Sequence, residues 1–201
     1  LFCFGFLPTF SRMNREKLTL DLGGIVLSGG KSTRMGTDKG FVLYQGKPLV
    51  QYSLALLKYF CQDIIISANH DAYRELGYPV VEDEYIYCGP AGGLHAALRA
   101  STHEWNLVLS CDVPFVTREV LSRLIGARAS KGTVPYHDGG LEPLVAIYHH
   151  SMHLVFEENL LLNQYRLQEI IKSADIHLLS FQDMLDKNPR LFDNLNAPSD
   201  L

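Results

Sequence analysis

Short apolar runs alternate along the chain with longer stretches whose apolar residues recur at helical spacing, and turn residues mark the junctions. The first run, Ile25-Val26-Leu27, stands between glycines and reads as a buried strand. An extended piece is expected over 41–44, followed by a turn at Gly46-Lys47-Pro48. Proline is tolerated in the first turn of a helix, and Leu49, Val50, Tyr52, Leu56, Leu57 and Phe60 mark an apolar helical face just after it. Residues 63–67 and 78–81 predict two more strands, and a glycine-rich turn over 89–93 leads into a helix over 94–100. A strand over 105–110 ends at Cys111-Asp112-Val113-Pro114. The helix expected over 117–127 has Thr117 as its N-cap and Glu119 in its first turn. Strands over 132–135 and 142–148 flank the turn His137-Asp138-Gly139-Gly140. Helices over 150–162 and 165–172 and short strands over 175–179 and 190–193 complete the pattern.

This alternation predicts a doubly wound α/β fold: a mostly parallel sheet with helices on both faces, in three layers. No repeat or linker interrupts it, so 13–201 are expected to form a single domain. Residues 1–12, LFCFGFLPTFSR, are apolar but lack the basic start and cleavage site of a signal peptide. They are expected to lie outside the fold, with the working chain beginning near Met13.

The chain has 201 residues, 47% hydrophobic and 20% charged, enough for one full core. A net charge of −4 argues against a general nucleic-acid or anionic-membrane surface. No apolar run reaches the roughly 18 residues of a membrane span. Cys3, Cys61, Cys88 and Cys111 form no C-x-x-C pair, which argues against a zinc site and fits reduced thiols of the cytosol. His149, His150 and His153 read as a solvated helix start rather than a metal cluster. Ser28, Ser32 and Cys111 lack the His/Asp arrangement of an activated nucleophile.

In doubly wound sheets ligands bind outside the carboxyl ends of the strands, and the residues with chemical potential fall there. Ser28-Gly29-Gly30 follows the first strand, with Lys31, Arg34 and Lys39 close behind. Glycine lets backbone N–H groups close on phosphate oxygens, and the cations neutralise charge. A Walker A loop would need glycine where Ile25 stands. The dinucleotide fingerprint fails because Gly29 and Gly30 are adjacent and the next glycine is Gly36. Asp38 reads as orienting Lys39 or capping backbone amides, and Lys31 as either a phosphate contact or a solvated side chain. Asp112, straight after an apolar strand and braced by Pro114, suits a hard divalent cation such as Mg2+.

From Leu27 to Lys39 the chain follows the pattern L-[AS]-G-G-x-S-x-R-M-G-x-D-K at every fixed position. This stretch resembles the nucleoside-triphosphate loop of the molybdenum cofactor guanylyltransferases. Further segments resemble that family in order. Ser67-Ala68-Asn69 stands where it has N-A-N, with Ser67 departing; Val80-Val81-Glu82-Asp83 matches V-[IV]-E-D. Gly89 to Leu94 is similar to G-P-L-A-G-[ML], and Cys111 to Pro114 to C-D-x-P. Glu142-Pro143-Leu144 resembles Q-P-L or H-P-T, and Asn194-Leu195-Asn196-Ala197-Pro198 resembles N-x-N-T-P, with Ala197 for threonine.

The resemblance implies a Rossmann-like nucleotidyltransferase that moves GMP from GTP to the phosphate of the molybdopterin cofactor and releases pyrophosphate. It implies GTP contacts from Leu27, Ser28, Gly29, Gly30, Lys39, Asn69, Asp83, Gly92 and Asp112, with Mg2+ on Asp112. Arg34, Lys39 and Asp112 would be catalytic, and Glu142, Pro143, Asn194 and Asn196 would face the acceptor. The expected setting is the cytoplasm, with molybdoenzymes or cofactor-delivery proteins as further partners and neither nucleic acid nor membrane. Gly29-Gly30 leans toward guanine, since cytidylyl relatives carry Ala-Ala there. Rival readings are cytidylyl or other nucleotidyl transfer to a phosphate acceptor, and a non-catalytic GTP-binding partner protein. The failed fingerprint disfavours a dinucleotide-binding redox domain.

Overall fold

A computed structural model of the chain describes residues 21–29 and 38–196. The expectations for 1–12, Gly30, Lys31, Arg34 and Ala197-Pro198 lie outside the described residues. Strand β1, Leu22–Leu27, is buried along its whole length. A 3-10 turn at Lys39–Phe41 takes the start of the expected extended piece, leaving β2, Leu43–Tyr44, to pair with β3, Lys47–Pro48. Gln45 and Gly46, both at positive φ, make the tight turn between them. Helix α1, Leu49–Leu57, starts straight after Pro48 and stops short of Phe60. Then come β4, Asp63–Ser67, and β5, Val80–Val81.

Helix α2, Pro90–Ala100, corrects the sequence reading, because the glycine-rich segment is its first turn rather than a turn before it. Pro90 enters with its fixed φ at the first helical position, which tolerates the missing N–H. Strand β6, Trp105–Ser110, is followed by α3, Arg118–Gly126. Thr117 has N-cap backbone geometry but makes no side-chain cap bond; its Oγ1 faces Glu119 Oε2 at 3.4 Å instead. The next elements are β7, Gly132–His137, β8, Gly140–Leu141, and β9, Val145–His149. Then follow α4, Met152–Leu161, α5, Leu167–Ser173, β10, His177–Ser180, and α6, Gln182–Leu185.

His149 therefore closes a strand and does not share a helix face with His153. Its ring faces Ser151 Oγ at 2.8 Å and Glu104 Oε1 at 3.3 Å. The strand expected over 190–193 is a turn, in which Leu191 and Phe192 are buried beneath α6. Short apolar runs do not distinguish a strand from a buried turn.

The main sheet has the order β10-β7-β9-β6-β1-β4-β5, with β8 paired to β7. Pairings β6–β1, β1–β4, β4–β5 and β7–β10 are parallel; β6–β9, β9–β7 and β7–β8 are antiparallel. Thus β9 and the short β8 run against the rest. Strand side chains alternate between two cores. Val26, Ile66, Leu107, Leu109 and Ile147 face α1, α3 and α6, while Ile25, Val108, Ala146 and Tyr148 face α2, α4 and α5. The three-layer expectation holds.

Candidate active site

The carboxyl ends of β1, β4, β5 and β6 open on a cleft of about 930 Å³. Its walls include Leu27, Ser28 and Gly29 from β1, Asn69 after β4, Asp83 after β5, Gly89 and Gly93 at the start of α2, and Ser110 from β6. The chain leaving β1 is tied to its neighbours: Ser28 N–H donates to Ser67 O at 2.9 Å, and Cys111 N–H to Leu27 O at 3.0 Å. A Cβ on Gly29 would meet no described atom within 4 Å.

At one end of the cleft three distant segments converge. Lys39 Nζ forms an ion pair with Asp112 Oδ2 and donates to Asn196 Oδ1. Ser110 Oγ donates to the other Asp112 oxygen. The carboxyl-terminal segment is held here by its backbone, with Leu195 N–H donating to Asp112 O at 3.0 Å and Leu195 packed on Val42 and Leu49. Asn194 supports Asn196 through its carbonyl, 3.4 Å from Nδ2.

Lys39 is presented by the short 3-10 turn, whose N-cap is Asp38. One Asp38 oxygen accepts from Gly40 N–H at 3.0 Å and from the Tyr73 hydroxyl. A Cβ on Gly40 would collide with that hydroxyl, so glycine is what lets the Lys39 turn sit on Tyr73. Burial first, then the Asp38 bond, pushes the Tyr73 phenol up, which keeps it a neutral donor. The sequence reading took Asp38 as a capping or orienting group, as observed, but missed Tyr73. An aromatic residue inside a polar stretch that fits neither helix nor strand was the signal available.

Across the cleft, Asn69 and Asp83 form a reciprocal pair. Asn69 Nδ2 donates to Asp83 Oδ2 at 3.0 Å, and Asp83 N–H donates to Asn69 Oδ1 at 2.8 Å. Burial raises the Asp83 pKa, and the Asn69 bond opposes that shift. A Cβ on Gly92 would stand 2.9 Å from Tyr85 O and one on Gly93 2.7 Å from Ser67 Oγ, so both glycines admit close packing at the start of α2. Gly92 thus packs against the segment after Asp83, and Gly93 reaches the cleft wall.

After β8, Glu142 Oε1 lies 2.9 Å from His137 Nε2. Its pKa is raised chiefly by burial, with His137 acting against this and the Asp112 charge adding to it. Pro143 is buried and its carbonyl accepts from Tyr148 OH at 2.8 Å, so it shapes the turn behind Glu142 and offers no open contact. Burial, with the Asp112 charge adding, pushes the Cys111 thiol up to about 12, which rules it out as a nucleophile at neutral pH.

Among the described residues no group of three or more His, Cys, Asp or Glu could hold a metal by itself. Asp112, with the Ser110 hydroxyl and the Asn196 amide oxygen beside it, is a hard-oxygen set. It fits a divalent ion that takes its remaining ligands from phosphates and water.

Residues 24–178 match the family model for the MobA-like NTP transferase domain. The chain belongs to this family. It is 32% identical over 185 residues to the molybdenum cofactor guanylyltransferase of Yersinia pestis, spanning 90% of this chain and 93% of that one. Among solved structures, a protein of Aquifex aeolicus superposes with a TM-score of 0.76 at 25% identity, over 90% of this chain and 96% of that one. The molybdopterin-guanine dinucleotide biosynthesis protein A of Archaeoglobus fulgidus gives a TM-score of 0.73 at 25% identity, over 89% and 94%. A MobA-like chain is a nucleotidyltransferase, which the cleft's glycines, cation and carboxylates suit. Of the residues expected in the site, Leu27, Ser28, Gly29, Asn69 and Asp83 line the cleft, and Lys39, Asp112 and Asn196 meet one another.

Proposed function

We propose that this MobA-like chain transfers GMP from GTP to the phosphate of the molybdopterin cofactor, giving molybdopterin guanine dinucleotide and pyrophosphate. The observation that carries the reading is the meeting of Lys39, Asp112 and Asn196 at the cleft, in a chain similar along nearly its whole length to a molybdenum cofactor guanylyltransferase.

Phosphoryl-type transfer asks the protein mainly for positioning and charge stabilisation. An oxygen of the acceptor phosphate attacks the α-phosphorus in line; the new P–O bond forms as the α–β bridge bond breaks, and pyrophosphate leaves with the electron pair. Lys39, with Arg34, stabilises charge on the phosphates, and Gly29 and Gly30 serve them through backbone N–H groups. Asp83 and Asn69 present acceptor and donor groups to the base edge. A carboxylate can accept from both guanine N1–H and the exocyclic amine. Glu142, Asn194 and Asn196 hold the acceptor. Asp112 and its oxygen neighbours would hold Mg2+, which supplies Lewis-acid neutralisation of the phosphate oxygens when bound.

Free thiols at Cys61, Cys88 and Cys111 support work in the cytoplasm, and among the described residues no helix is long and apolar enough to cross a membrane. We read 13–201 as one nucleotidyltransferase domain, with molybdoenzymes or cofactor-delivery proteins receiving the product.

Cytidylyl transfer is the rival that shares this fold. Gly29 on the cleft wall favours the purine, because glycine leaves more room there than the alanine of cytidylyl relatives. Pyrophosphate release from GTP, CTP and ATP in parallel, with Mg2+ and molybdopterin, tests the choice. Release with GTP alone is expected; preference for CTP would overturn the guanylyl assignment.

A further inference from the structure

The loop between β5 and α2 carries two large apolar side chains on the surface: Ile86 is 66% exposed and Tyr87 84% exposed. A lone exposed apolar residue needs no explanation, but an adjacent pair on the wall of a ligand cleft does. Both line the cleft that holds Asn69 and Asp83.

The backbone adds a second observation. Tyr87 has a φ of 67°, in the left-handed region, which is unfavourable for a bulky L-residue. The other described non-glycine residues at positive φ are Gln45, Ser130 and Asn163, all polar. The strain at Tyr87 is held from both sides. Cys88 is buried in the core beneath α2, with its Sγ 3.6 Å from Ile86 O, and Gly89, at φ 62°, turns the chain into Pro90. With Cys88 anchored inward, Tyr87 is turned out toward the cleft. Strained backbone of this kind persists where the surroundings enforce it, often at ligand clamps.

A nucleobase needs hydrogen bonds at its edge and a flat apolar surface at its face. Asn69 and Asp83 offer polar groups for the edge; Ile86 and Tyr87 are large apolar side chains exposed on the cleft wall. We propose that Tyr87, flanked by Ile86, is the surface on which the purine ring of the nucleotide stacks. The identity of the ring rests on the guanylyl-transfer reading. Every base has a π-face, so stacking supplies affinity with little selectivity, and discrimination falls to the polar edge.

Calorimetric titration with Mg2+ and either GTP or ATP on the parent, Tyr87→Gly and Tyr87→Phe tests this. Glycine removes the ring while easing the strained φ, so the variant keeps its fold, which thermal melting verifies. Loss of stacking weakens binding by roughly 5- to 150-fold, so Tyr87→Gly is expected to lose affinity in that range. GTP and ATP affinities should fall by the same factor, and Tyr87→Phe should bind as the parent does. Unchanged GTP binding in Tyr87→Gly overturns the inference alone. So does an equal loss in Tyr87→Phe, which would make the hydroxyl, not the ring face, the contact. A parent that binds no nucleoside triphosphate overturns the guanylyl-transfer reading and this inference together.

Discussion

Asp112 and Lys39 neutralise each other across 73 residues of sequence, and each is what the other's ligand would displace. A divalent ion held by Asp112 would free Lys39 for the phosphates, so on the proposed reading metal and nucleotide should bind as one unit. The two substitutions separate the roles. Asp112→Asn keeps a partner for Lys39 but removes the anionic ligand; Lys39→Met leaves Asp112 without its counter-charge. Each is expected to slow pyrophosphate release by about 10²–10³-fold. Titration of Mn2+ followed by electron paramagnetic resonance should show binding lost in Asp112→Asn and strengthened in Lys39→Met. Full activity in Asp112→Asn would remove that residue from the chemistry. Asp112 was legible in the sequence because it comes straight after a strand with an apolar centre and is braced by Pro114. Its link to Asn196 through Lys39 was not, because no local pattern reports which strand end a distant tail will cross.

Helix α2 brings its glycines to the cleft at its start and a buried imidazole to the core at mid-length. The sequence predicts a glycine-rich turn there, and Gly does lower helix propensity. Tight contacts with Ser67 and the Tyr85 carbonyl, together with Pro90 at the first position, outweigh that preference. His95, further along the same helix, is fully buried with no hydrogen-bond partner on either ring nitrogen. Burial lowers its pKa. Glu84 and the Glu157 carboxylate, 4.0 Å away, oppose the shift, and Arg99 and His153 reinforce it. The folded protein therefore keeps His95 neutral where the unfolded chain would protonate it. Stability is full above the ordinary imidazole pKa of about 6.5 and is lost as pH falls below it, at up to about 1.4 kcal/mol per pH unit. His95→Leu removes this term while filling the site. Thermal melts of parent and variant between pH 7.5 and 5.0 should diverge, the parent losing more stability on acidification. Parallel losses would show that another group sets the acid limit.

At the scale of the molecule, the sheet order puts β4, β1 and β6 side by side and parallel, so three loops leave from one edge and meet over one cleft. That much followed from the apolar runs: 63–67 and 105–110 were predicted to the residue. The antiparallel β9 was not foreseen, because a strand buried on both faces reads the same in either direction. Nor was the return of the chain after α6, where Phe192 packs into one core and Leu195 fixes the tail on the Asp112 backbone. That return is what brings the tail to Lys39 and Asp112. Lys39 and Asn196 are 157 residues apart and share a hydrogen bond.

The most direct measurement follows the label. Protein, Mg2+ and molybdopterin are incubated with GTP labelled at either the α- or the γ-phosphate, and the pterin product is isolated. Guanylyl transfer predicts label in the product from α-labelled GTP only, with the γ-label recovered in pyrophosphate. Label carried from the γ-position would mean phosphoryl transfer, and label from neither would mean that this cleft holds GTP without spending it on the cofactor; either result contradicts the account.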